Sequence, residues 1–504
     1  MRALHAHDER ACLIEQGTTW SYAEVRSAVY RTARALVALG AERGQGIALL
    51  SRNTVAGFVA QAAALLIGCR YTPLHPLASA DDQCFNCEDA DVRFLIVDSW
   101  FAERLGVLHA RLGADLHVLT VGAAEVGADL VARAQDEPDA PLQPVPAADD
   151  LCWLVYTGGT TGTPKGVMLS HRAMAWMTTI MRAEWELAPR TRLLAVTPMS
   201  HAVGTMAVPV LLGGGSIVLH HGFDPERFVR DVVRLEVSAT FLVPTMLYTL
   251  LGRVEDDSWT AGLQTLVYGA APISPARLRE GLERWGQVFF QLYGQTEFPT
   301  TAMVMRRGEH LVDDVARLAS CGRPVPYIDV MLGDASGTRV DDGDAGEILL
   351  RGPLSMDGYW KRPEITAETL RGGWVHTGDI ARCDAQGFYQ VVDRAKDMIV
   401  TGGFNVFPRE VEDVLTSHAD VVAAAVVGVP DDHWGEAVRA LVVLRAGAAP
   451  IEPELRDLVR ESKGPVSAPK VIEFVQDLPM TALGKPDKQA LRARYWGGQA
   501  RAVH

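Results

Sequence analysis

Short apolar runs recur along the chain, separated by stretches long enough to hold a helix, and this alternation restricts the fold more than any other feature. Gly46-Ile-Ala-Leu-Leu50, Phe94-Leu-Ile-Val97, Leu151-Cys-Trp-Leu-Val155, Leu193-Leu-Ala-Val196 and Ile217-Val-Leu219 read as buried strands, most of them bounded by turn residues. Tyr22 to Leu39 carries apolar residues at helical spacing. Strands joined through helices imply parallel sheets with helices packed on their faces. The Pro-, Ala- and Asp-rich stretch 136–150 reads as an exposed loop. From Glu347 the texture changes. Glu347-Ile-Leu-Leu350 and Gly387-Phe-Tyr-Gln-Val-Val392 suggest antiparallel strands. Beyond Arg394 a separate small α/β pattern begins, with helices at 410–415 and 452–463 and strands at 421–429 and 440–444. A chain of 504 residues exceeds what one core supports. The expected division is 1–394, a boundary at Ala395–Lys396, and 397–504.

Charge narrows the partners. With 48 Lys and Arg against 62 Asp and Glu, the net charge is −14, the wrong sign for a nucleic-acid or anionic-lipid surface. The longest mostly apolar run, Phe58 to Gly68, is shorter than the roughly 20 residues a bilayer span takes. No integral membrane segment and no secretory signal are therefore expected. The seven cysteines lack framework spacing. Cys84-Phe-Asn-Cys87 is a lone CxxC whose acidic flanks read as a helix rather than a redox or zinc site. The expectation is a reduced, cytoplasmic protein, with a homodimer left open.

The most specific segment is Tyr156-Thr-Gly-Gly-Thr-Thr-Gly-Thr-Pro-Lys-Gly-Val167, directly after an apolar strand. Its glycines and threonines supply backbone N–H and hydroxyl donors that can wrap phosphate oxygens, and Lys165 adds a positive charge. Each hydrogen bond to a charged oxygen contributes about 1.5–3 kcal/mol. It is not a Walker A loop, because Pro164 precedes Lys165 and Gly166 follows it. By composition alone a Gly/Thr surface loop would serve as well. The full string, however, resembles the phosphate loop of the adenylate-forming superfamily, which includes acyl-CoA synthetases, nonribosomal peptide adenylation domains and beetle luciferases.

The likeness extends over nearly the whole chain, in the family's motif order. Thr19-Trp-Ser-Tyr22 and Tyr71-Thr-Pro-Leu-His-Pro76 look like its N-terminal landmarks. The resemblance implies an α/β fold: a large N-terminal domain of two parallel-type sheets plus a small β-barrel-like subdomain, and a small mobile C-terminal α+β domain. It implies that Thr157, Gly158, Gly159, Thr160, Thr161, Gly162 and Lys165 hold ATP. Gly269-Ala270-Ala271 and Gln291-Leu-Tyr293-Gly294-Gln295-Thr296-Glu297 look like the two loops that grip the nucleotide. Tyr293 would pack against adenine, Thr296 would touch the α-phosphate, and Glu297 with Thr161 would hold magnesium. Gly373-Trp-Val-His-Thr-Gly-Asp379 resembles the ribose motif, with Asp379 accepting from the sugar and Arg394 as a second ribose or phosphate partner. Lys396 matches the hinge. Pro479-Met-Thr-Ala-Leu-Gly-Lys485 matches the C-terminal catalytic motif, so Lys485 would contact the substrate carboxylate and the α-phosphate.

For the acceptor, the likeness to the CoA ligases implies that Gly402, Gly403 and Phe404 border the pantetheine arm. Pro198-Met-Ser-His-Ala-Val-Gly204 looks like the segment lining the acyl pocket. A lone histidine in an apolar stretch is by itself a packed core residue, but the family places an aromatic or histidine there, so His201 is carried as a site residue. His201, Val203, Met206, Phe241, Met246, Tyr268 and Met303 form the expected lining. They are mostly apolar or aromatic. No acidic partner for an α-amino group lies in 198–204, and no arginine for a second carboxylate lies in 201–206 or 268–274. The implied activity is activation of a fatty, aryl or alicyclic acid by MgATP, then transfer to CoA. The nearest rival acceptor is a carrier-protein thiol.

Overall fold

The computed structural model describes residues 1–113, 116–157, 164–334, 336–341, 343–394, 397–401, 404–431, 434–445, 447–449, 452–481 and 486–497. The strand-like runs of the sequence are buried on both faces: all five residues of Gly46–Leu50 are buried, as are all four of Ser216–Leu219. Such runs suit strands covered by helices on each side. Several helices begin where a side chain satisfies their free N–H groups. Ser21 caps Tyr22–Ala38 and forms a reciprocal pair with Glu24. Thr54 caps Val55–Leu66, the helix that holds most of the longest apolar run, and Ser170 caps His171–Glu184. Both thiols of Cys84-Phe-Asn-Cys87 are buried in the helix Ala80–Asp89, where desolvation raises their pKa.

Among the described residues the strands form four sheets, of nine, eight, four and five strands. In the nine-stranded sheet the neighbours 265–268, 239–242, 192–195, 216–219 and 11–15 run parallel, and Phe289–Tyr293 joins them in parallel beside 265–268. The eight-stranded sheet has a parallel middle, with Arg70–Pro73 beside Leu151–Thr157. The strand Lys165–Ser170 returns antiparallel beside Leu151–Thr157, and Gly358–Tyr359 adds to it. The four-stranded sheet is antiparallel, in the order 329–333, 346–351, 375–383, 389–394, and is the smaller β subdomain. Gly387 sits at φ +81° in the turn before the last of these strands, so that strand starts later than the sequence pattern suggested.

The fifth strand of the C-terminal sheet, Val471–Phe474, pairs parallel with Gly435–Leu444, while the other pairings are antiparallel. That sheet has apolar clusters of its own. One joins Ile399, Val411, Leu455 and Val459, and the other joins Val427, Leu441 and Leu491 from the helix Lys488–Trp496. The principal cluster of the molecule runs between the two large sheets, and a second, around Trp259, Trp285 and Phe289, fills the outer face of the nine-stranded sheet. The loops that follow Thr157, Ala195, Tyr268 and Tyr293 therefore leave the same type of strand end. Ligand sites in open α/β sheets lie at such carboxyl ends.

Candidate nucleotide and acyl site

The segment that opens the phosphate loop is held on both sides. Tyr156 and Thr157 pair with Gly166 and Lys165 across the antiparallel return. The Tyr156 hydroxyl donates to Asp89 at 2.8 Å, and Arg362 donates to the same carboxylate at 2.9 Å. The Trp360 backbone N–H donates to the Gly166 carbonyl at 2.8 Å, and its indole donates to the Asp89 carbonyl at 2.9 Å. Gly158, Gly159, Thr160, Thr161 and Gly162 lie outside the described residues, as do Lys396, Gly402, Gly403 and Lys485. Phe404, the remaining residue expected at the pantetheine arm, is exposed on the strand Phe404–Val406.

Lys165 and Glu297 meet through a tyrosine that sequence reasoning passed over. The Lys165 ammonium lies 5.4 Å from the centre of the Tyr359 ring, within cation–π range. The Tyr359 hydroxyl donates to Glu297 Oε1 at 2.7 Å. The Met356 N–H donates to the Glu297 carbonyl at 2.9 Å, fixing the backbone that carries the carboxylate. A cation and an anion thus share one buried phenol.

Asp379 is the other convergence. It is 4 % exposed, yet it accepts from Tyr293 at 2.7 Å and from Gln295 at 2.6 Å on Oδ2, and pairs with Arg394 at 2.5 Å on Oδ1. Its strand neighbour is Arg394 itself, across the antiparallel pair. Asp379 raises the Arg394 pKa, while burial and then Asp379 raise that of Tyr293. A carboxylate offers about four acceptor positions, so three donors leave little room. Any further donor must take the remaining position or displace one of the three. Gln295 also donates to the Thr377 carbonyl at 2.9 Å, so the turn after Phe289–Tyr293 is tied to the small β sheet at two points. Two close approaches in these loops require glycine. A Cβ on Gly294 would lie 2.6 Å from the Thr300 backbone, and one on Gly269 would lie 2.7 Å from the Leu292 carbonyl. Ala270 takes φ +61°, and Ala271 and Thr296 are half-buried in the same loops.

The expected acyl lining divides in two. Val203, Met206, Phe241 and Met303 pack in the cluster between the large sheets, each at most 1 % exposed. Tyr268 and Met246 pack in the outer cluster instead. The register gives the reason: Phe241 pairs with Val267, so Tyr268 is one residue out of step and points to the opposite face. One cavity beside Phe241 cannot also be lined by the Tyr268 ring. The Tyr268 hydroxyl lies 3.0 Å from His310 Nε2 and 3.2 Å from Gln291.

His201 lies at the rim of the inner cluster, in the turn after Arg192–Ala195. Its Nδ1 is 2.8 Å from the Ser200 hydroxyl, and its ring meets that of His75 edge-on at 4.5 Å. Burial and the neighbouring His75 push its pKa down to about 3. At neutral pH it is an uncharged imidazole, a wall and hydrogen-bonding group with little basicity. Buried Asn53 ties the turn to the other sheet. Its amide nitrogen donates to the Thr197 carbonyl at 2.8 Å, and its oxygen accepts from the Met199 N–H at 2.8 Å. Gly204 closes the turn, where a Cβ would come within 1.8 Å of the Met199 carbonyl.

The family model described as AMP-binding enzyme matches residues 2–360, and the model of the AMP-binding enzyme C-terminal domain matches residues 410–485. The chain belongs to the AMP-binding enzyme family. Among relatives of this AMP-binding enzyme is a medium/long-chain-fatty-acid–CoA ligase of Mycobacterium tuberculosis, 43% identical over 99% of this chain and 90% of that protein. A feruloyl-CoA synthase of Amycolatopsis is 38% identical over 95% of this chain and 94% of its own length. Among solved structures, an amide bond synthetase from Marinactinospora thermotolerans superposes with a TM-score of 0.92 at 34% identity, covering 98% of each chain.

The donor set of this AMP-binding enzyme suits magnesium. Glu297 is half-buried, one of its oxygens takes the Tyr359 hydroxyl, and among the described residues the other accepts no hydrogen bond. Magnesium is typically held by one or two carboxylates plus phosphate oxygens and water. Sequence reasoning missed Asn53, Asp89, Tyr359 and His310, and passed His75 only as part of a landmark. Tyr359 left a faint trace in Gly358-Tyr359, and Asn53 left none. No helix among the described residues is long and apolar enough to cross a membrane.

Proposed function

We propose that this AMP-binding enzyme is an AMP-forming ligase that joins a neutral, hydrophobic carboxylic acid to CoA through an acyl-adenylate. The observation that carries the reading is the convergence of Asp379, Tyr293, Gln295 and Arg394 next to the turn bearing Glu297, which Tyr359 links to Lys165. One group suits a ribose and the other a polyphosphate. The inner cluster of Val203, Met206, Phe241 and Met303, with uncharged His201 at its rim, supports an acid without a second charge. The fatty-acid and feruloyl ligases among its relatives fit that class.

A carboxylate is already nucleophilic at neutral pH, so adenylation needs no general base. Its oxygen attacks the α-phosphorus in line, and pyrophosphate leaves. What the protein supplies is alignment and countercharge. Asp379 and Arg394 fix the nucleoside end, and Lys165 neutralises phosphate oxygens. Bound at Glu297 with Thr161, magnesium would screen the charge of the triphosphate. Lys485 would approach the carboxylate and α-phosphate from the small domain. The domain boundary falls at 395–396, with Lys396 as hinge. Rotation there withdraws Lys485 and brings 402–404 to the adenylate, whose carbonyl the CoA thiolate attacks with loss of AMP. ATP and CoA as substrates fit a cytoplasmic location.

The amide bond synthetase gives a specific reason to test an amine as a second acceptor. The deciding experiment is pyrophosphate exchange with a panel of acids, followed by AMP release with CoA, carrier protein or amine added. Exchange with medium- to long-chain or aryl acids, and AMP release that requires CoA, is the expected result. Cleavage of ATP only between the β and γ positions would overturn the adenylate. Release driven only by a carrier protein or an amine would replace CoA.

A further inference from the structure

Glu297 is held at two points by one short segment. The Met356 N–H donates to its carbonyl at 2.9 Å, and the Tyr359 hydroxyl donates to its Oε1 at 2.7 Å. Tyr359 is itself fixed from several sides. Gly358 and Tyr359 pair with Met168 and Val167, and the Tyr359 N–H donates to the Thr366 hydroxyl at 2.8 Å. The next residue, Trp360, donates its N–H to the Gly166 carbonyl at 2.8 Å. The Lys165 ammonium lies 5.4 Å from the centre of the phenol ring. Tyr359 is buried, and burial and then the Glu297 carboxylate raise its pKa, so the hydrogen stays on the phenol. Oε1 of Glu297 is therefore committed. Among the described residues Oε2 accepts no hydrogen bond.

We infer that Tyr359 sets the metal specificity of the site: by occupying Oε1 it leaves Glu297 one free oxygen, which suits magnesium and disfavours calcium. Calcium takes six to eight oxygen ligands in flexible geometry and accepts both oxygens of a carboxylate. Magnesium is smaller and demands near-octahedral geometry, in which a carboxylate contributes one oxygen. A carboxylate with one oxygen held by a buried phenol meets the second demand and withholds the first. The inference rests on the proposed nucleotide site, and concerns which dication that site accepts with the nucleotide. Phenylalanine at this position would keep the ring, the Lys165 contact and the strand pairing, and lose only the hydrogen bond to Glu297.

The test is ATP binding by isothermal titration calorimetry without any acid, so that no turnover contributes. ATP is added with magnesium, with calcium, or with a chelator and no divalent ion. The wild-type protein is expected to bind the magnesium complex more tightly than the calcium complex. In Tyr359→Phe that preference should narrow by about tenfold, the scale of one hydrogen bond to a charged group, because both oxygens of Glu297 can then close on the larger ion. Metal-free ATP should bind the variant no more weakly than it binds wild type, since the hydroxyl acts only through the metal. An unchanged preference, or an equal loss for all three forms, overturns the inference, because damage to the fold does not distinguish the two cations. A wild-type protein without preference overturns it as well. Should the variant fail to fold, a crystal structure of the wild-type protein with MgATP decides instead. One oxygen of Glu297 on the ion, with the phenol still on the other, supports the inference, and both oxygens on the ion overturn it. Failure of the wild-type protein to bind ATP in any form would refute the nucleotide site itself, whatever the role of Tyr359.

Discussion

Asp379 and His310 are buried polar groups held by different means. Asp379 is surrounded by donors, so its charge is tolerated where it is 4 % exposed. His310 is held uncharged, since its partners are a carbonyl and a phenol and its pKa lies near 4 against an ordinary 6.5. The second arrangement has a measurable consequence. Below pH 6.5 the unfolded chain binds a proton at this imidazole, while the folded chain refuses it until about pH 4. More protons bound to the unfolded state means that stability falls as the pH is lowered through that window. The full effect is about 3 kcal/mol. Urea unfolding from pH 7 to pH 4 is expected to show His310→Phe losing about one proton's worth of slope relative to wild type. Whatever stability the variant forfeits at pH 7 narrows as the pH falls. A pH slope identical to that of wild type would mean that His310 is protonated in the fold.

At the scale of elements, the turn after Arg192–Ala195 depends on an amide from the other sheet. Truncation in Asn53→Ala leaves the Met199 N–H and the Thr197 carbonyl without that partner inside the protein. A buried unpaired group costs about 1–3 kcal/mol. The expected outcome is a loss of about 2–4 kcal/mol in thermal or urea unfolding. A raised KM for the acid should accompany it, because His201 moves with the turn. Unchanged acid KM in a destabilised variant would separate the turn from the acyl site. Nothing near Asn53 in the sequence announces this bridge, which spans 146 residues to Met199. The strands themselves were legible because both faces are covered, as in the five buried residues of Gly46–Leu50. The helix Glu452–Lys463 was legible to its ends. What the sequence could not give was the offset between neighbours. Phe241 and Tyr268 look equally suited to a pocket until the pairing of Phe241 with Val267 turns them to opposite faces. The nucleotide motifs were readable as strings, but the meeting of Asp379 with Tyr293 across 86 residues is a product of tertiary folding.

Across the whole molecule, polar contacts cluster beside the proposed hinge. Within the C-terminal unit Lys488 pairs with Glu412 at 2.8 Å and Arg492 pairs with Asp397 at 2.6 Å, while the Arg409 N–H reaches across the proposed boundary and donates to Asp393 at 3.0 Å. The helix Lys488–Trp496 that carries the first two contacts is seated on its own sheet by buried Leu491. Lys485 comes just before that helix in sequence, so in the proposed mechanism it would travel with the small domain and not with the nucleotide site. A cation delivered in this way can serve only while the domain faces the adenylation pose. Lys485→Ala is therefore expected to lower acid-dependent pyrophosphate exchange by about 10²-fold or more, the scale of losing a charge that stabilises a transition state. Thioester formation from a supplied acyl-adenylate and CoA should stay near the wild-type rate, because the proposed rotation would withdraw Lys485 before that step. Single-turnover assays of the two half-reactions measure this split directly. Equal loss in both would mean that Lys485 occupies the site throughout, and that the two steps do not depend on rotation at Lys396.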